Sequence, residues 1–260
     1  MNYMICLSKN LTDEYVNMFA NGANLPVQDY DSDFGNNPVM IRSMGKRKLI
    51  QELQEKNHTF YYMDSGYVGN YKFKGNPGGF KWWHRIVKND VQHNDIIERP
   101  DDRWNALDWP ILQRKKSGTH ILLVTPSEKP CKFYGIDKDE WVSSTVKKLK
   151  ELTDRPIVIR DKQDRIQRVK VNPIFKDLYD CHALVTYQSI AAVESVLYGV
   201  PAFTLAPTAA DPVSNKDLNM IENPHWPDDV TRHKWAHHLA YGQFHINEFK
   251  DGSAYKLLME

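Results

Sequence analysis

The chain has 260 residues, a net charge of +1, 41% hydrophobic residues and 26% charged residues. That length supports one large core or two smaller ones, and the composition excludes a disordered or low-complexity polypeptide. No apolar run reaches the roughly 20 residues needed to cross a bilayer, and the first residues lack a basic segment followed by a long apolar stretch, so the sequence reads as a cytoplasmic protein without membrane insertion. Three widely spaced cysteines, Cys6, Cys131 and Cys181, form no CxxC pair and read as core residues rather than disulfide or zinc partners.

In chain order, residues 4–7 predict a strand and residues 13–19 a short helix. Residues 21–37, rich in Gly, Asn and Asp, read as a loop. Residues 39–42 predict a second strand. Residues 46–56 follow as a helix with Leu49, Ile50 and Leu53 on one face, and residues 59–63 as a third strand ending at Asp64-Ser65-Gly66. This alternation predicts a parallel sheet.

From Ser65 to Asn89 there is no acidic residue, while Lys72, Lys74, Lys81, Arg85 and Lys88 interleave with Tyr67, Tyr71, Phe73, Phe80, Trp82 and Trp83. Two readings stand side by side. One is a surface that grips phosphates and stacks rings; the other is a hairpin with its aromatics in the core and its lysines in water.

A composition shift near Arg114–Gly118 places a domain boundary, giving residues 1–116 and 117–260. Strands are predicted at 120–125, 155–160, 183–186 and 201–205. Helices are predicted at 139–152 (Val142, Val146, Leu149 and Leu152 on one face), 174–179, 189–198, 228–245 and 253–258.

The segment His182–Pro212, HALVTYQSIAAVESVLYGVPAFTLAPTAADP, is the most informative. A buried strand ends in Thr186-Tyr187-Gln188-Ser189, and a helix carrying Glu194 begins at once. The free N–H groups and positive dipole end of such a helix suit a diphosphate. The pattern resembles the donor-binding half of GT-B-fold glycosyltransferases, including capsule-polysaccharide and phage-encoded sugar transferases. The resemblance implies two Rossmann-like α/β halves facing a cleft, a nucleotide-sugar donor (UDP-linked) and no required metal. It gives Ser189 the donor phosphates and Glu194 the ribose, with Tyr187 and Gln188 beside them. The E-x7-E pattern of many retaining enzymes is absent, which leaves the anomeric outcome open.

Ligands in open α/β sheets bind beyond the carboxyl ends of strands. Thr125 and Ser127, then Arg160 and Lys162, are therefore expected on the donor face, the two cations neutralising the departing diphosphate. Asp211 stands where this fold class contacts the donor sugar. In the first half, Asp64 is the candidate base for the acceptor hydroxyl, with turn-capping as its alternative. Arg85 lies in a run (Trp83 to Asn89) similar to one in phage and capsule transferases. Tyr67, Lys72, Lys74, Lys81 and Trp83 are the expected acceptor contacts.

Hydroxymethylated pyrimidines in DNA are the first acceptor expected. Polysaccharide acceptors, a non-catalytic nucleic-acid-binding module, and an epimerase or hydrolase are the alternatives. The D-x-D triplet Asp31-Ser32-Asp33 lies in a loop where such triplets arise by composition. His233, His237 and His238 lack the H-E-x-x-H arrangement of a zinc protease. No GxxxxGK[ST], GxGxxG or GxSxG occurs.

Overall fold

The apolar runs of the sequence become the strands of two separate sheets. A computed structural model describes residues 3–70, 82–115, 118–161 and 174–260, so Lys72, Lys74, Lys81 and Lys162 lie outside the described residues. The strands are β1 (Ile5–Leu7), β2 (Val27–Gln28), β3 (Val39–Arg42), β4 (Phe60–Ser65), β5 (Trp83–Lys88), β6 (His120–Val124), β7 (Ile157–Arg160), β8 (Cys181–Thr186), β9 (Ala202–Thr204) and β10 (Gln243–His245). The described α-helices are α1 (Glu14–Ala23), α2 (Arg47–Glu55), α3 (Asp102–Leu107), α4 (Glu128–Tyr134), α5 (Lys138–Leu152), α6 (Ala191–Leu197), α7 (Asp229–Tyr241), α8 (Ile246–Lys250) and α9 (Ser253–Met259).

The chain divides into two compact units. The first holds described residues 3–70, 82–93 and 241–260; the second holds those between 94 and 240. The boundary read at residue 116 differs from this division, because the last 20 residues return to the first unit.

In the first unit the strand order is β10-β5-β4-β3-β1-β2. β2, β1, β3 and β4 are parallel, but β5 runs antiparallel to β4, and β10 antiparallel to β5. The three strands predicted in this half, β1, β3 and β4, are thus parallel as expected, and β5 and β10 add an antiparallel edge in which β4 and β5 pair as neighbours without a crossover helix.

One face of the sheet (Met4, Cys6, Met40, Tyr61, Met63, Ile86, Phe244) packs against Val16, Phe19 and Ala20 of α1, Phe249 of α8 and Ala254 of α9. Asp13 starts α1 by accepting the amides of Tyr15 (3.1 Å) and Val16 (3.2 Å). α1 runs on through Ala23, so the segment read as a loop from residue 21 begins as helix and also contains β2. The helix can approach α8 closely because Gly22 lacks a side chain; a Cβ there would lie 1.8 Å from the Phe249 carbonyl oxygen.

In the second unit all four strands are parallel, in the order β7-β6-β8-β9. α5 starts at Asp137, whose carboxylate accepts the amides of Asp139 and Glu140 at 2.9 Å. It lays Val142, Val146, Leu149 and Leu152 on Ile121, Leu123, Ala183, Val185 and Phe203, the face that the 3.6-residue period predicted.

The helix expected over 228–245 ends at Tyr241 and is followed by β10. Gly242 punctuates it: the His93 ring occupies the space a Cβ there would need, 2.4 Å away. Among the described residues no helix is long and apolar enough to cross a membrane.

Candidate functional site

The second unit has one topological switch. From β6 the chain moves outward to β7, returns to the other side of β6 as β8, then moves outward to β9. Connections leaving β6 and β8 diverge there, and open α/β sheets generally bind their ligands at such a point. The Thr186 hydroxyl ties the two strand ends together by donating to the Val124 carbonyl at 3.0 Å.

Around that point the predicted donor residues gather. Thr125, buried after β6, donates its hydroxyl to Asp161 after β7 at 2.5 Å. Lys138, from the first turn of α5, donates to the same carboxylate oxygen at 2.7 Å. Ser127 precedes α4, and Tyr187, Gln188 and Ser189 follow β8.

The buried Gln188 amide donates to the Tyr134 hydroxyl at 3.2 Å. The Tyr187 ring meets Tyr134 edge-on at 5.6 Å and Trp141 at 5.8 Å. Burial raises the Tyr187 phenol above its ordinary pKa, with Cys131 adding to the shift. The Ser189 hydroxyl accepts the Ala191 amide at 3.2 Å, a turn contact ahead of α6, which begins at Ala191 rather than at Ser189.

Three expected donor contacts are engaged within the protein. Arg160 pairs with Asp177. Asp211, after β9, accepts from Lys216 and from Thr204 (3.2 Å), and the Lys216 ammonium also donates to the Thr204 hydroxyl at 2.8 Å. Glu194 is 6% exposed, on a helix whose seven residues are all buried. Tyr134, Trp141, Lys138 and Lys216 were missed in the sequence, because they reach this edge from other elements.

In the first unit, register places Asp64 of β4 opposite Arg85 of β5. The Asp64 carboxylate accepts the Tyr62 hydroxyl and the Ser65 amide, each at 2.7 Å. Arg85 is 3% exposed, lies 5.6 Å and 5.5 Å from the ring centres of Tyr62 and Tyr67, and donates to the Ser65 carbonyl at 2.6 Å. Its second terminal nitrogen stands 3.8 Å from Asp64.

Burial raises the Asp64 pKa, but Arg85, the Tyr62 hydroxyl and the Ser65 amide outweigh it and hold the carboxyl at about 2. Asp64 is thus ionised at neutral pH, and its environment makes it a weak base.

Tyr67 is 1% exposed, with its hydroxyl against His93 Nδ1 at 2.9 Å. The ring of Tyr67, read as an acceptor contact, is thus packed within the unit. Trp82 and Trp83 are half-buried against His245, with ring centres 5.8 Å and 5.1 Å from it. In the described part of the Ser65–Asn89 segment, Tyr67 is therefore buried while Trp82 and Trp83 are partly exposed.

Asp33 of the D-x-D triplet accepts the Gly35 amide at 2.8 Å, a turn contact. His233 faces the Asp229 carbonyl at 2.7 Å. Among the described residues no three or more His, Cys, Asp or Glu side chains group as a metal site.

Two units, each an open α/β sheet, give a fold of the GT-B glycosyltransferase type. Among solved structures, the chain is similar to two transferases of Thermosulfurimonas dismutans KpsC. Against the beta Kdo 2,4 transferase it is 11% identical, with a TM-score of 0.50 over 91% of this chain and 97% of the other. Against the beta Kdo 2,7 transferase it is 8% identical, with a TM-score of 0.51 over 99% of each chain. No protein-family model matches the chain, and no curated protein sequence matches it significantly. At such identities the likeness is one of fold.

Proposed function

We propose that the protein is a glycosyltransferase that moves a sugar from a nucleotide-sugar donor to a hydroxyl of a glycan acceptor. The observation that carries this reading is the convergence of Thr125, Ser127, Tyr187, Gln188 and Ser189 on the β6/β8 switch point, in a fold shared with two sugar transferases.

In the proposal, Tyr134, Tyr187 and Trp141 supply ring faces for the nucleoside. Ser189 and the loop amides beside it take the diphosphate, Glu194 serves the ribose, and Lys216 with Asp211 serves the sugar. In the first unit Asp64, fixed by Tyr62 and Arg85, receives the proton of the acceptor hydroxyl. With a pKa of about 2 it does so only as the new bond forms and the hydroxyl becomes acidic.

The glycan acceptor is preferred over hydroxymethylated DNA for a physical reason. Among the described residues read as a DNA-gripping patch, Tyr67 is buried and Trp83 is half-buried, and both similar solved structures are sugar transferases.

The test is a thermal-shift screen with nucleoside diphosphates and nucleotide sugars, UDP-linked ones first, on wild type, Ser189→Ala and Gln188→Ala. A ligand at a hundred times its Kd stabilises the fold by about 2.7 kcal/mol. A shift for one nucleotide that shrinks in both variants supports the donor site and identifies the nucleotide. No shift with any nucleotide, together with salt-steep DNA binding, sinks the reading in favour of a nucleic-acid-binding module.

A further inference from the structure

Register places four side chains of the first unit on one face of its sheet. Residues directly opposite each other in an antiparallel pair point to the same side. The β4–β5–β10 ladder sets Asp64 opposite Arg85, Arg85 opposite Gln243, and Trp83 opposite His245. Ile86 and Phe244, one residue out of step, pack towards α1, α8 and α9. Asp64, Arg85, Trp83 and His245 therefore share the other face, at the end of the sheet where β4 finishes.

Trp83 and His245 form a corner at that end. Gly69 holds φ +92°, and a Cβ on it would lie 2.6 Å from Trp83 Cδ1, so the glycine lets one edge of the indole rest on the loop after β4. Trp83 meets the His245 ring at 66°, with centres 5.1 Å apart. Trp82 stacks on the same imidazole nearly parallel, at 5.8 Å and 12°. Both Trp83 and His245 remain partly exposed.

The tautomer of His245 is fixed by its place ahead of α8. Its Nδ1 accepts the Asn247 amide at 3.2 Å, and Glu248 accepts the His245 amide at 2.7 Å, which makes a capping box. An accepting Nδ1 carries no proton, so the neutral ring bears its proton on Nε2. Burial lowers the His245 pKa from 6.5, with Glu248 opposing and Lys250 assisting, and the ring is neutral at pH 7. Among the described residues, the Asn247 amide is the ring's one hydrogen-bond partner. Nε2–H is thus an unspent donor beside a partly exposed indole.

A pyranose offers one side of C–H groups and a rim of hydroxyls, and an indole with a donor next to it matches both. From Asp64 to Trp83 the ladder steps one strand across and two residues along, roughly 8 Å, a distance that one glycan chain spans.

We infer that Trp83 and His245 form the subsite for the acceptor glycan. Trp83 packs the C–H side of a sugar ring, His245 Nε2 donates to one of its hydroxyls, and a hydroxyl of the same chain meets Asp64. Calling this glycan the acceptor rests on the transferase reading; the sugar-binding corner itself does not. Loss of the indole weakens binding by about tenfold, the weight of roughly 60 Å² of covered apolar surface. Loss of the Nε2 donor weakens it by about fivefold.

The experiment titrates the full chain with maltotriose, cellotriose and chitotriose, and with a short oligothymidylate, by ligand-observed NMR. Wild type, Trp83→Ala, Trp83→Phe and His245→Asn are compared, and melting curves confirm that each is folded. Asparagine keeps a side-chain acceptor for the Asn247 amide, so α8 retains its cap while the Nε2 donor is lost. The inference expects a trisaccharide to bind wild type, to lose about tenfold in Trp83→Ala, less in Trp83→Phe, and about fivefold in His245→Asn. Should Trp83→Ala not fold, the other two variants decide.

No binding of any trisaccharide, or unchanged affinity in the Trp83 variants or in His245→Asn, overturns the inference. So does oligothymidylate binding that the Trp83 variants weaken while no trisaccharide binds, which assigns the rings to nucleobases. The nucleotide thermal shift run on the same samples separates the two ideas. If the shift is absent while trisaccharides still bind through Trp83 and His245, the transferase reading fails alone. If the shift is present and no trisaccharide binds, only the sugar-binding corner fails.

Discussion

Arg85 stands directly across the β4–β5 ladder from Asp64, and its guanidinium spans from the Ser65 carbonyl at 2.6 Å to the Asp64 carboxylate at 3.8 Å. The cation is the buried partner, at 3% exposure, whereas a third of the Asp64 side chain remains open to solvent. Removing either member therefore has different consequences.

Replacing Arg85 by Met leaves the Tyr62 and Tyr67 rings packed but strips Asp64 of its countercharge. Breaking a buried pair from one side costs about 3 kcal/mol. Urea unfolding of Arg85→Met is expected to show a loss of that order, with an unchanged m-value. A loss below about 1 kcal/mol shows that the pair contributes little.

The same pair gives a pH signature. The folded-state pKa of Asp64, about 2, lies below the ordinary value of 3.8, so its contribution to stability is present above pH 4. It is lost as pH falls from 4 through 2. With allowance for the exposed part of the carboxylate, the contribution is about 1 to 2 kcal/mol. Unfolding free energies measured between pH 2 and 5 should fall less steeply in Asp64→Asn than in wild type; parallel curves contradict the assignment.

Tyr134 meets Tyr187 through its ring and Gln188 through its hydroxyl. If the nucleoside stacks here, Tyr134→Ala weakens nucleotide binding by about tenfold, within the roughly 1–3 kcal/mol measured for base–aromatic stacking. Tyr134→Phe, which keeps the ring, loses less. Titration calorimetry with the nucleotide found in the thermal screen decides it, and identical affinities in all three proteins remove the stack from the site.

Ser43 carries positive φ at the turn between Arg42 and Lys46. Glycine adopts that backbone without a Cβ penalty, so Ser43→Gly is expected to raise stability, or at worst leave it unchanged, with a gain of up to about 1 kcal/mol. A thermal melt of the two proteins measures the change.

Local patterns were legible where a residue's neighbours in sequence are also its neighbours in space. The α5 face of Val142, Val146, Leu149 and Leu152 packs on the second sheet as its period predicted, and β3 has the predicted ends. The loops after β6 and β8 were legible as neighbours at one sheet edge because parallel strands expose their carboxyl ends together.

Three features were not legible. β10 is three residues long, and its partner β5 lies far back in the sequence; Gly242 was the available signal for the helix end. Tyr134 and Trp141 lie on two helices and meet Tyr187 only through tertiary packing. Arg85 carried a charge that suggested a surface, yet the β4–β5 register buries it beside two tyrosines and a carboxylate. Sequence patterning cannot place a cation that is buried with a long-range partner.

The return of β10, α8 and α9 to the first unit also sets a timetable for biosynthesis. When His93 leaves the ribosome, β5 lacks its outer neighbour, and the face formed by Met40, Tyr61 and Ile86 lacks Phe244 and Phe249. Roughly 150 residues of intervening chain must be made first, a delay of about 7 to 30 seconds at ordinary translation rates. During that interval the second unit, whose strands and helices all lie within the intervening stretch, completes its own sheet. The strands that precede His93 thus close only after the second unit has been made, and a nascent chain stalled between His93 and Tyr241 exposes the part of that apolar face which Phe244 and Phe249 later cover.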